Sequence, residues 1–415
     1  MVNGFGFFLC VAQRVGLSAL LLFSLALTAQ AHQSDRQIAW QQINQQLESL
    51  RNSAKSGEPI NAQKISKRRQ AIIGQATEIY RQQPDDALAV DAMLLTLSES
   101  TGRATYVEIC RILAKHHMTD PSLSQFFPLM FSLAHFESDC EKLLLKATEE
   151  GANQAVRDSA RLQLGMVYRM MAELLANLAE FDMTMEQYTT SKTRSSFGQL
   201  SDEEAASISK HLCESSWKSR NWRKVRQQAL DMVTPLLDSE QELTFFVPAH
   251  SKREIRPIPI ASKASKIHYQ ILNSMPGARL AEFEFQDMGG ERVQLQDHLG
   301  KVVVIDIWAT WCQPCITGFQ DMKELQRSLS GKPFSLVTVN IDRNLDETRQ
   351  FIANNPLPFE NWYVGENRQF FDQWSVYHIP RIIILDAQGV VRAVPNVGYG
   401  DLQRYVSRLV SSVEK

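Results

Sequence analysis

The residues with the clearest chemical potential are two cysteines three positions apart. Cys312 and Cys315 enclose Gln313 and Pro314 in the stretch ATWCQPC, which follows the apolar run VVVIDIW. Cysteines at i and i+3 in the first turn of a helix are close enough to form a disulfide with little backbone movement. Unsatisfied backbone N–H groups and the helix dipole would favour the thiolate of Cys312. The spacing therefore predicts a redox-active disulfide in which Cys312 attacks a substrate and Cys315 resolves the mixed disulfide.

A static disulfide and half of a zinc site are the alternatives for this pair. A structural zinc site commonly draws its ligands from two such clusters. The chain has no second C-x-x-C, and no suitable histidine lies close by in the sequence. We therefore expect no metal site at the pair.

One acidic residue interrupts the apolar run before the cysteines. Asp306 lies six residues before Cys312, in a stretch typical of a strand covered on both faces. An unpaired carboxylate in such a strand either carries a large free-energy cost or stays protonated. Two explanations are open: a functional carboxyl group, or a structural one paired with a cation or backbone donors.

The elements that would position these side chains begin after Pro276, where strand-like and helix-like patterns alternate. The pattern predicts a hairpin around Gly289-Gly290, strands at Val302–Trp308, Phe334–Ile341, Arg381–Leu385 and Val390–Val394, and helices after the cysteines, near Glu347–Ala353 and at Asp401–Val413. This order predicts a mixed α/β sandwich.

The order of these features resembles the thioredoxin fold, and in particular exported thioredoxins of the TlpA/ResA type. The resemblance covers residues 276–415 and rests on the hairpin, the LGKVVV approach, WCQPC after a buried strand, Ile379-Pro380 before a later strand, and the LDAQG turn. It implies a thiol-disulfide oxidoreductase with no cofactor other than the Cys312–Cys315 disulfide. The peroxidase motif, a Thr and a Pro shortly before an isolated cysteine, is absent.

The resemblance also implies a catalytic role for the buried acid. Asp306 matches the aspartate beneath the second cysteine of thioredoxin, where desolvation holds the carboxyl partly protonated. Such a group can take the proton of Cys315, through a water, while the mixed disulfide resolves. Thr338 stands where thioredoxin has a lysine beside this acid, so the titration of Asp306 is expected to differ.

Four further residues are predicted to bind substrate. Pro380 resembles the family's cis-proline, which, with Ile379 before it, leaves the backbone free to pair with a bound peptide. From sequence alone a trans-proline at the start of a strand is the alternative. Trp311 is expected to shield the disulfide, and Pro314 fixes the backbone early in the helix. Arg381 stands where the family often has a threonine, so local substrate contacts are expected to differ.

Residues 32–237 predict an all-helical domain. Apolar residues recur at helical spacing, as in Leu164, Tyr168, Met171, Leu175 and Leu178. Turn-like openings at Pro84, Asp120 and Gly151 recur near the period of helix-turn-helix repeats, which is typical of α-solenoids such as tetratricopeptide-like arrays, although no repeat carries a full tetratricopeptide signature. A plain helical bundle is an equal alternative. A solenoid would offer a surface for a protein partner. Residues 238–275 are predicted to be a linker with one helix around Ile267 to Leu272. The sequence does not decide whether this helix packs on the helical domain or on the C-terminal domain.

Residues 1–31 differ from the rest of the chain. A single arginine at position 14 precedes VGLSALLLFSLALTA and then Ala29-Gln30-Ala31. An apolar core of about 15 residues is typical of a secretory signal peptide, since a membrane span needs about 20. The prediction is export to the periplasm; an uncleaved N-terminal anchor is the alternative.

The number of cysteines in the exported chain is odd, so in an oxidising compartment they cannot all pair within the chain. Loss of Cys10 from the six cysteines leaves five, namely Cys110, Cys140, Cys213, Cys312 and Cys315. An odd number predicts at least one cysteine without a partner in its own chain.

The length of 415 residues allows two or three domains, and a net charge of -2 gives no electrostatic footprint for nucleic acid. The predicted function is an exported oxidoreductase that reduces or exchanges disulfides in protein substrates and receives electrons from a membrane-side donor. The alternative is a helical-repeat binding protein whose C-terminal domain is a redox-inactive docking module.

Overall fold

The computed structural model describes residues 33–50, 52, 62–99, 103–130, 138–184, 219–243, 245, 257–395 and 399–414. The predicted signal segment, Cys10 and Cys213 lie outside these residues. Among the described helices, none combines the length and the apolarity that crossing a membrane requires.

The chain divides into two compact units, and the domain boundaries predicted from the sequence stay a prediction. One unit comprises Met1–Met130 with Thr244–Arg256, and the other comprises Phe131–Leu243 with Pro257–Lys415. The second unit therefore includes much of the predicted helical domain and of the predicted linker. Phe181 from the helical segment packs in one core cluster with residues of the C-terminal sheet and its helices, and the linker helix Ile260–Asn273 contacts the helix Arg368–Gln373.

The described part of the first unit is helical, as predicted. It contains α1 (residues 33–50), α2 (Ala62–Gln82), α3 (Ala87–Glu99) and α4 (Arg103–His116). The predicted turn at Pro84-Asp85-Asp86 precedes α3, and buried Arg36 from α1 donates to Asp86 Oδ2 at 2.6 Å. After Asp120 the chain forms short 3₁₀ turns over Pro121–Gln125 and Phe127–Met130 instead of an α-helix. A regular helix-turn-helix repeat stays a prediction.

The second unit begins with helices that pack beside the sheet. These are α5 (Ser138–Glu150), α6 (Gln154–Phe181), α7 (Trp222–Val233) and α8 (Ile260–Asn273), and a ribbon of β1 (Glu242–Leu243) and β2 (Ile258–Pro259) precedes α8. The apolar face predicted for residues 164–178 is buried in α6. Helices α6 and α7 approach closely at Gly165, where a Cβ atom would collide with the Val233 side chain. Helix α8 extends the short helix predicted within the linker and contacts α6 and α7.

The sheet has seven strands in the order β4-β3-β7-β6-β5-β8-β9. The strands are β3 (Phe285–Asp287), β4 (Arg292–Val293), β5 (Val302–Trp308), β6 (Phe334–Asn340), β7 (Glu360–Tyr363), β8 (Arg381–Leu385) and β9 (Val391–Ala393). The central strand β5 is parallel to β6 and antiparallel to β8. The predicted mixed sheet with a leading hairpin is confirmed.

Helices cover both faces of the sheet. They are α9 (Gln313–Ser328), α10 (Leu345–Asn354), α11 (Arg368–Gln373) and α12 (Tyr399–Val413). On one face, Val302 and Val304 of β5 pack with residues of α9 and α12. On the other face, Ile305 and Ile307 pack with Trp374 and other residues that follow β7. All seven residues of β5 are buried as a result.

The C-terminal end of α6 binds the backbone of Val394, the residue that follows the edge strand β9. Asn177 Nδ2 donates to the Val394 carbonyl at 2.8 Å, and the Val394 N–H donates to Asn177 Oδ1 at 2.9 Å. The Phe181 ring stacks on Tyr405 of α12 with centroids 4.4 Å apart. Helix α6 is therefore part of the packing that surrounds the sheet.

Candidate active site

The two cysteines form a disulfide at the start of α9. Their Cα atoms are 5.3 Å apart and the S–S distance is 2.06 Å. Cys312 is the N-cap of α9, and the Cys315 N–H donates to Cys312 Sγ at 3.3 Å. Pro314 lies in the first turn, where its missing N–H leaves no donor unpaired. The sulfur of Cys312 therefore receives the donor group and the positive end of the helix dipole that stabilise a thiolate.

The two sulfurs differ in access. The exposed fraction is 4% for Cys312 and 0% for Cys315. A substrate sulfur can approach Cys312 alone, while Cys315 is reached from within the protein. Trp311, expected to shield the disulfide, is 69% exposed.

The turn before Cys312 is held by a polar network that the sequence reasoning missed. The Thr310 N–H and hydroxyl both donate to the Asp342 carboxylate, each at 3.0 Å in its shorter contact. Asn340 Nδ2 also donates to Asp342, at 2.7 Å, and the Asp342 backbone N–H donates back to Asn340 Oδ1 at 3.0 Å. A signal was present in the sequence, because parallel strands β5 and β6 end at the same edge and Thr310 and Asp342 follow them directly.

Asp306 is buried without a partner. Its exposed fraction is 0%, and among the described residues neither carboxylate oxygen has a hydrogen-bond partner. Burial raises the pKa of Asp306 to about 8. Thr338 lies opposite it on β6, as aligned from the sequence, but the Thr338 hydroxyl donates to Asn361 Oδ1 at 2.9 Å. Structural pairing of the carboxylate is therefore absent from the described part of the chain.

The face of β5 that carries Asp306 is the one beneath α9. Side chains two positions apart on a strand share a face. Val304 packs with residues of α9, and Trp308 packs in one cluster with Cys312, Cys315 and Phe319. Asp306 lies between them, under the first turns of the helix that carries the disulfide.

The Ile379–Pro380 peptide bond is cis, so the trans alternative does not hold. It lies just before β8, whose residue Ile382 pairs with Asp306 on β5. Ile379 packs against the cluster that contains Cys312 and Cys315. The fold thus brings the proline segment to the disulfide, as the resemblance implied.

An open groove of about 600 Å³ adjoins the disulfide. Trp311 and Tyr377, the latter 61% exposed, line it together with Ile341 and Ile379. Pro314 is exposed and Pro380 is half-buried, and neither lines the groove. The groove thus offers aromatic, aliphatic and charged surface next to Trp311, the residue that precedes Cys312.

Known proteins resemble this part of the chain. The family model described as the AhpC/TSA family matches residues 276–394. The thioredoxin-like protein YneN of Bacillus subtilis is 29% identical over 121 residues, which are 28% of this chain and 69% of that protein. The C-terminal part of the chain is a thioredoxin-like domain of the AhpC/TSA family.

A second relative is named for an activity. The thiol-disulfide oxidoreductase ResA of Bacillus subtilis is 26% identical over 115 residues, which are 28% of this chain and 64% of ResA. The chain thus spans about two thirds of the length of these relatives. The solved thioredoxin domain of a thiol-disulfide oxidoreductase from Bacteroides vulgatus has 22% identity and a TM-score of 0.31, and it covers 32% of this chain and 97% of that one. Of the two sequence relatives, ResA is thus named a thiol-disulfide oxidoreductase and YneN a thioredoxin-like protein.

Arg381 of the thioredoxin-like domain does not face the groove. It is 6% exposed, and its Nη2 lies 3.6 Å from Glu173 Oε2 on α6. The sequence predicts that Arg381 alters the local contacts with substrate. In the structure, its side chain instead lies against Glu173 of α6. No local pattern in the sequence indicates that Glu173 contacts Arg381, because the two residues lie far apart in the chain.

Within the described ranges, no group of three or more His, Cys, Asp or Glu side chains is arranged to hold an ion. Cys110 and Cys140 are both buried and lie outside this site.

Proposed function

We propose that the chain is an exported thiol-disulfide oxidoreductase that reduces or exchanges disulfides in protein substrates. The observation that carries the proposal is the Cys312–Cys315 disulfide at the start of α9, with Cys312 Sγ accepting a backbone N–H of the first turn. Export rests on the apolar segment before Ala29-Gln30-Ala31. The helical segment would then lie on the same side of the membrane as the thioredoxin-like domain.

The reaction consists of two exchanges. In the reduced protein the Cys312 thiolate attacks one sulfur of a client disulfide, so that a Cys312–client bond forms and the other client sulfur leaves as a thiolate. The Cys315 thiolate then attacks Cys312 Sγ, which forms the internal disulfide and releases the second client thiolate. Two electrons pass from the cysteine pair to the client. A dithiol donor at the membrane returns them by the reverse exchange.

Asp306 is the group proposed to receive the proton of Cys315 before the second exchange. Its pKa of about 8 is close to that of an ordinary thiol, about 8.5. At neutral pH most of the carboxyl is protonated, so the fraction that has lost its proton is the form that accepts the proton of Cys315. An exposed carboxylate, with a pKa near 4, would be a much weaker base.

The substrate-binding residues are proposed from their place beside the disulfide. Ile379 and the cis-proline Pro380 form one side of the approach to Cys312, and the exposed Trp311 forms another. Pro314 is exposed in the first turn of α9. A client strand lying along Ile379 would place its own sulfur at Cys312.

Insulin reduction with dithiothreitol as donor tests the proposal. The wild type is expected to accelerate reduction, whereas Cys312→Ser, which lacks the attacking sulfur, is expected to show none. Cys315→Ser is expected to accumulate a mixed disulfide that dithiothreitol releases. Cys110→Ala, at a buried cysteine outside the site, is the matched control and should retain turnover. Equal, negligible turnover in the wild type and Cys312→Ser would favour the binding-protein alternative.

A further inference from the structure

A charged cluster lies behind the segment that carries the cis-proline. It consists of Arg169 and Glu173 on α6 and Tyr377 and Arg381 at the two ends of that segment; we call these four residues the α6–loop cluster. Glu173 Oε2 lies 3.6 Å from Arg381 Nη2 and 3.7 Å from Arg169 Nη1. The Arg169 guanidinium carbon lies 5.6 Å from the centroid of the Tyr377 ring. One carboxylate therefore stands between two guanidinium groups.

The two arginines of the cluster are buried, and their charges are only partly compensated. Arg169 is 9% exposed and Arg381 is 6% exposed. Within the described residues, Arg381 Nε and Nη2, Arg169 Nη1 and Glu173 Oε2 have no hydrogen-bond partner. Burial lowers the pKa of Arg381, and the charge of Glu173 opposes this shift. Since a buried charge is tolerated mainly through its partner, Glu173 is the group that makes two buried cations possible here.

The cluster fixes both ends of the cis-proline segment. Arg381 directly follows Pro380, and its backbone pairs with Ile307 of β5. At the other end Tyr377 lies over Arg169 and lines the groove. Between them Ile379 packs against the disulfide cluster. A shift of either arginine would therefore move the surface that faces a client.

Helix α6 is itself held in place by contacts remote from this segment. Asn177 hydrogen-bonds both backbone groups of Val394, and Glu180 accepts from Arg392 Nη2 at 3.1 Å and from the Tyr405 hydroxyl at 2.9 Å. The position of Glu173 relative to Arg381 is therefore set by a helix that other contacts hold in place. Glu180 provides a matched comparison, because it joins the same helix to the same domain without touching the cis-proline segment.

We propose that Glu173 is a positioning residue for client binding: through Arg381 and Arg169 it holds the cis-proline segment in the shape that receives a protein disulfide. This inference rests on the proposed function. It makes the helical segment a working part of the site, since α6 sets how well the thioredoxin-like domain binds large clients. A small disulfide needs access to Cys312 and makes little use of that segment.

The test compares a protein disulfide with a small one in the full chain. The values of kcat/KM for insulin and for 5,5′-dithiobis(2-nitrobenzoic acid) are measured for the wild type, Glu173→Gln and Glu180→Gln. Glu173→Gln leaves two buried guanidinium groups without an anion, and the insulin-to-small-disulfide ratio is expected to fall about tenfold, mainly through a higher KM for insulin. Glu180→Gln is expected to leave the ratio within about twofold of the wild type.

Two further variants separate positioning from loss of folding. The double variant Glu173→Gln/Arg169→Gln lacks one of the two cations as well as the anion. Its insulin-to-small-disulfide ratio is expected to be at least about threefold higher than that of Glu173→Gln alone. Glu173→Asp keeps the carboxylate but draws it back by one methylene, and an intermediate ratio is expected; it serves if Glu173→Gln does not fold.

An unchanged ratio in Glu173→Gln, or in Glu173→Asp where only that variant folds, would overturn the inference, and so would an equal fall in Glu180→Gln. In all of these cases the wild type would still turn over both substrates, and the proposed function would stand. A wild type without turnover of either substrate would overturn the proposed function, and this inference with it.

Discussion

Replacing Asp306 by asparagine tests whether the buried carboxyl group costs stability at neutral pH. Burial raises its pKa from the ordinary value of 3.8 to about 8 in the folded protein, whereas the unfolded chain keeps the ordinary value. Below about pH 4 the group is protonated in both states and has no effect. Above that pH the unfolded chain releases the proton and the folded protein retains it, so the free energy of unfolding falls as pH rises toward 8.

The size of the effect follows from the difference of about 4 pH units between the two values. At about 1.4 kcal/mol per unit, the full loss is about 6 kcal/mol, reached near pH 8. Between pH 5 and pH 7 the wild type should lose about 3 kcal/mol through this group alone. Asparagine has nearly the same shape and does not titrate. The advantage of Asp306→Asn over the wild type should therefore grow by that amount across this interval.

Urea unfolding of the oxidised full chain at pH 5, 6 and 7 measures this difference. Trp308, Trp362 and Trp374 are fully buried around the sheet, so their fluorescence reports unfolding of the thioredoxin-like domain. Every other titrating group is common to both proteins and cancels in the difference. Asp372→Asn, at a partly exposed carboxylate paired with Lys266, is the control and should follow the wild type. Parallel curves for Asp306→Asn and the wild type would refute the reasoning.

Three further outcomes are expected from the same structure. Iodoacetamide should alkylate reduced Cys312 with a pH midpoint below about 8.5, because the N-terminus of α9 stabilises its thiolate; a midpoint at or above that value would contradict this. Thr310→Val removes the hydroxyl bond to Asp342 and should lower the free energy of unfolding in urea by about 1 kcal/mol, and an unchanged midpoint would argue against the network. Asn177→Ala leaves both backbone groups of Val394 without their partner and should cost about 2 to 4 kcal/mol, with faster amide exchange at Val394 by mass spectrometry; unaltered exchange would contradict the edge contact.

The parts of the fold and site that could be predicted from sequence are those set by neighbouring residues. The run Val302–Trp308 gives a fully buried strand because every position is apolar except Asp306. The spacing of Cys312 and Cys315 suits a helical first turn, and the disulfide lies there. Short strands and helices could not be predicted in the same way. Strand β7 and helix α11 were not predicted, since each has too few residues to show a period.

The contacts of α6 could not be predicted, for a different reason. Arg169, Glu173, Asn177 and Glu180 share one polar face of the helix, and such a face is normally expected to lie in water. In the structure this face contacts the thioredoxin-like domain, with Asn177 and Val394 separated by 217 residues in the chain. No local pattern encodes a partner at that distance. The predicted boundary at 275 followed composition, whereas the packing follows these polar contacts.

The hydrogen bonds from Asn177 to Val394, directly after β9, matter for any attempt to isolate the thioredoxin-like domain. A fragment that begins at Pro276 would retain β9 but would leave the backbone groups of Val394 open, and removal of Phe181 would uncover the Tyr405 ring. An open strand edge beside exposed aromatic surface is a template for adding a strand from another molecule. The excised domain should therefore self-associate, and a soluble monomeric fragment needs to keep α6.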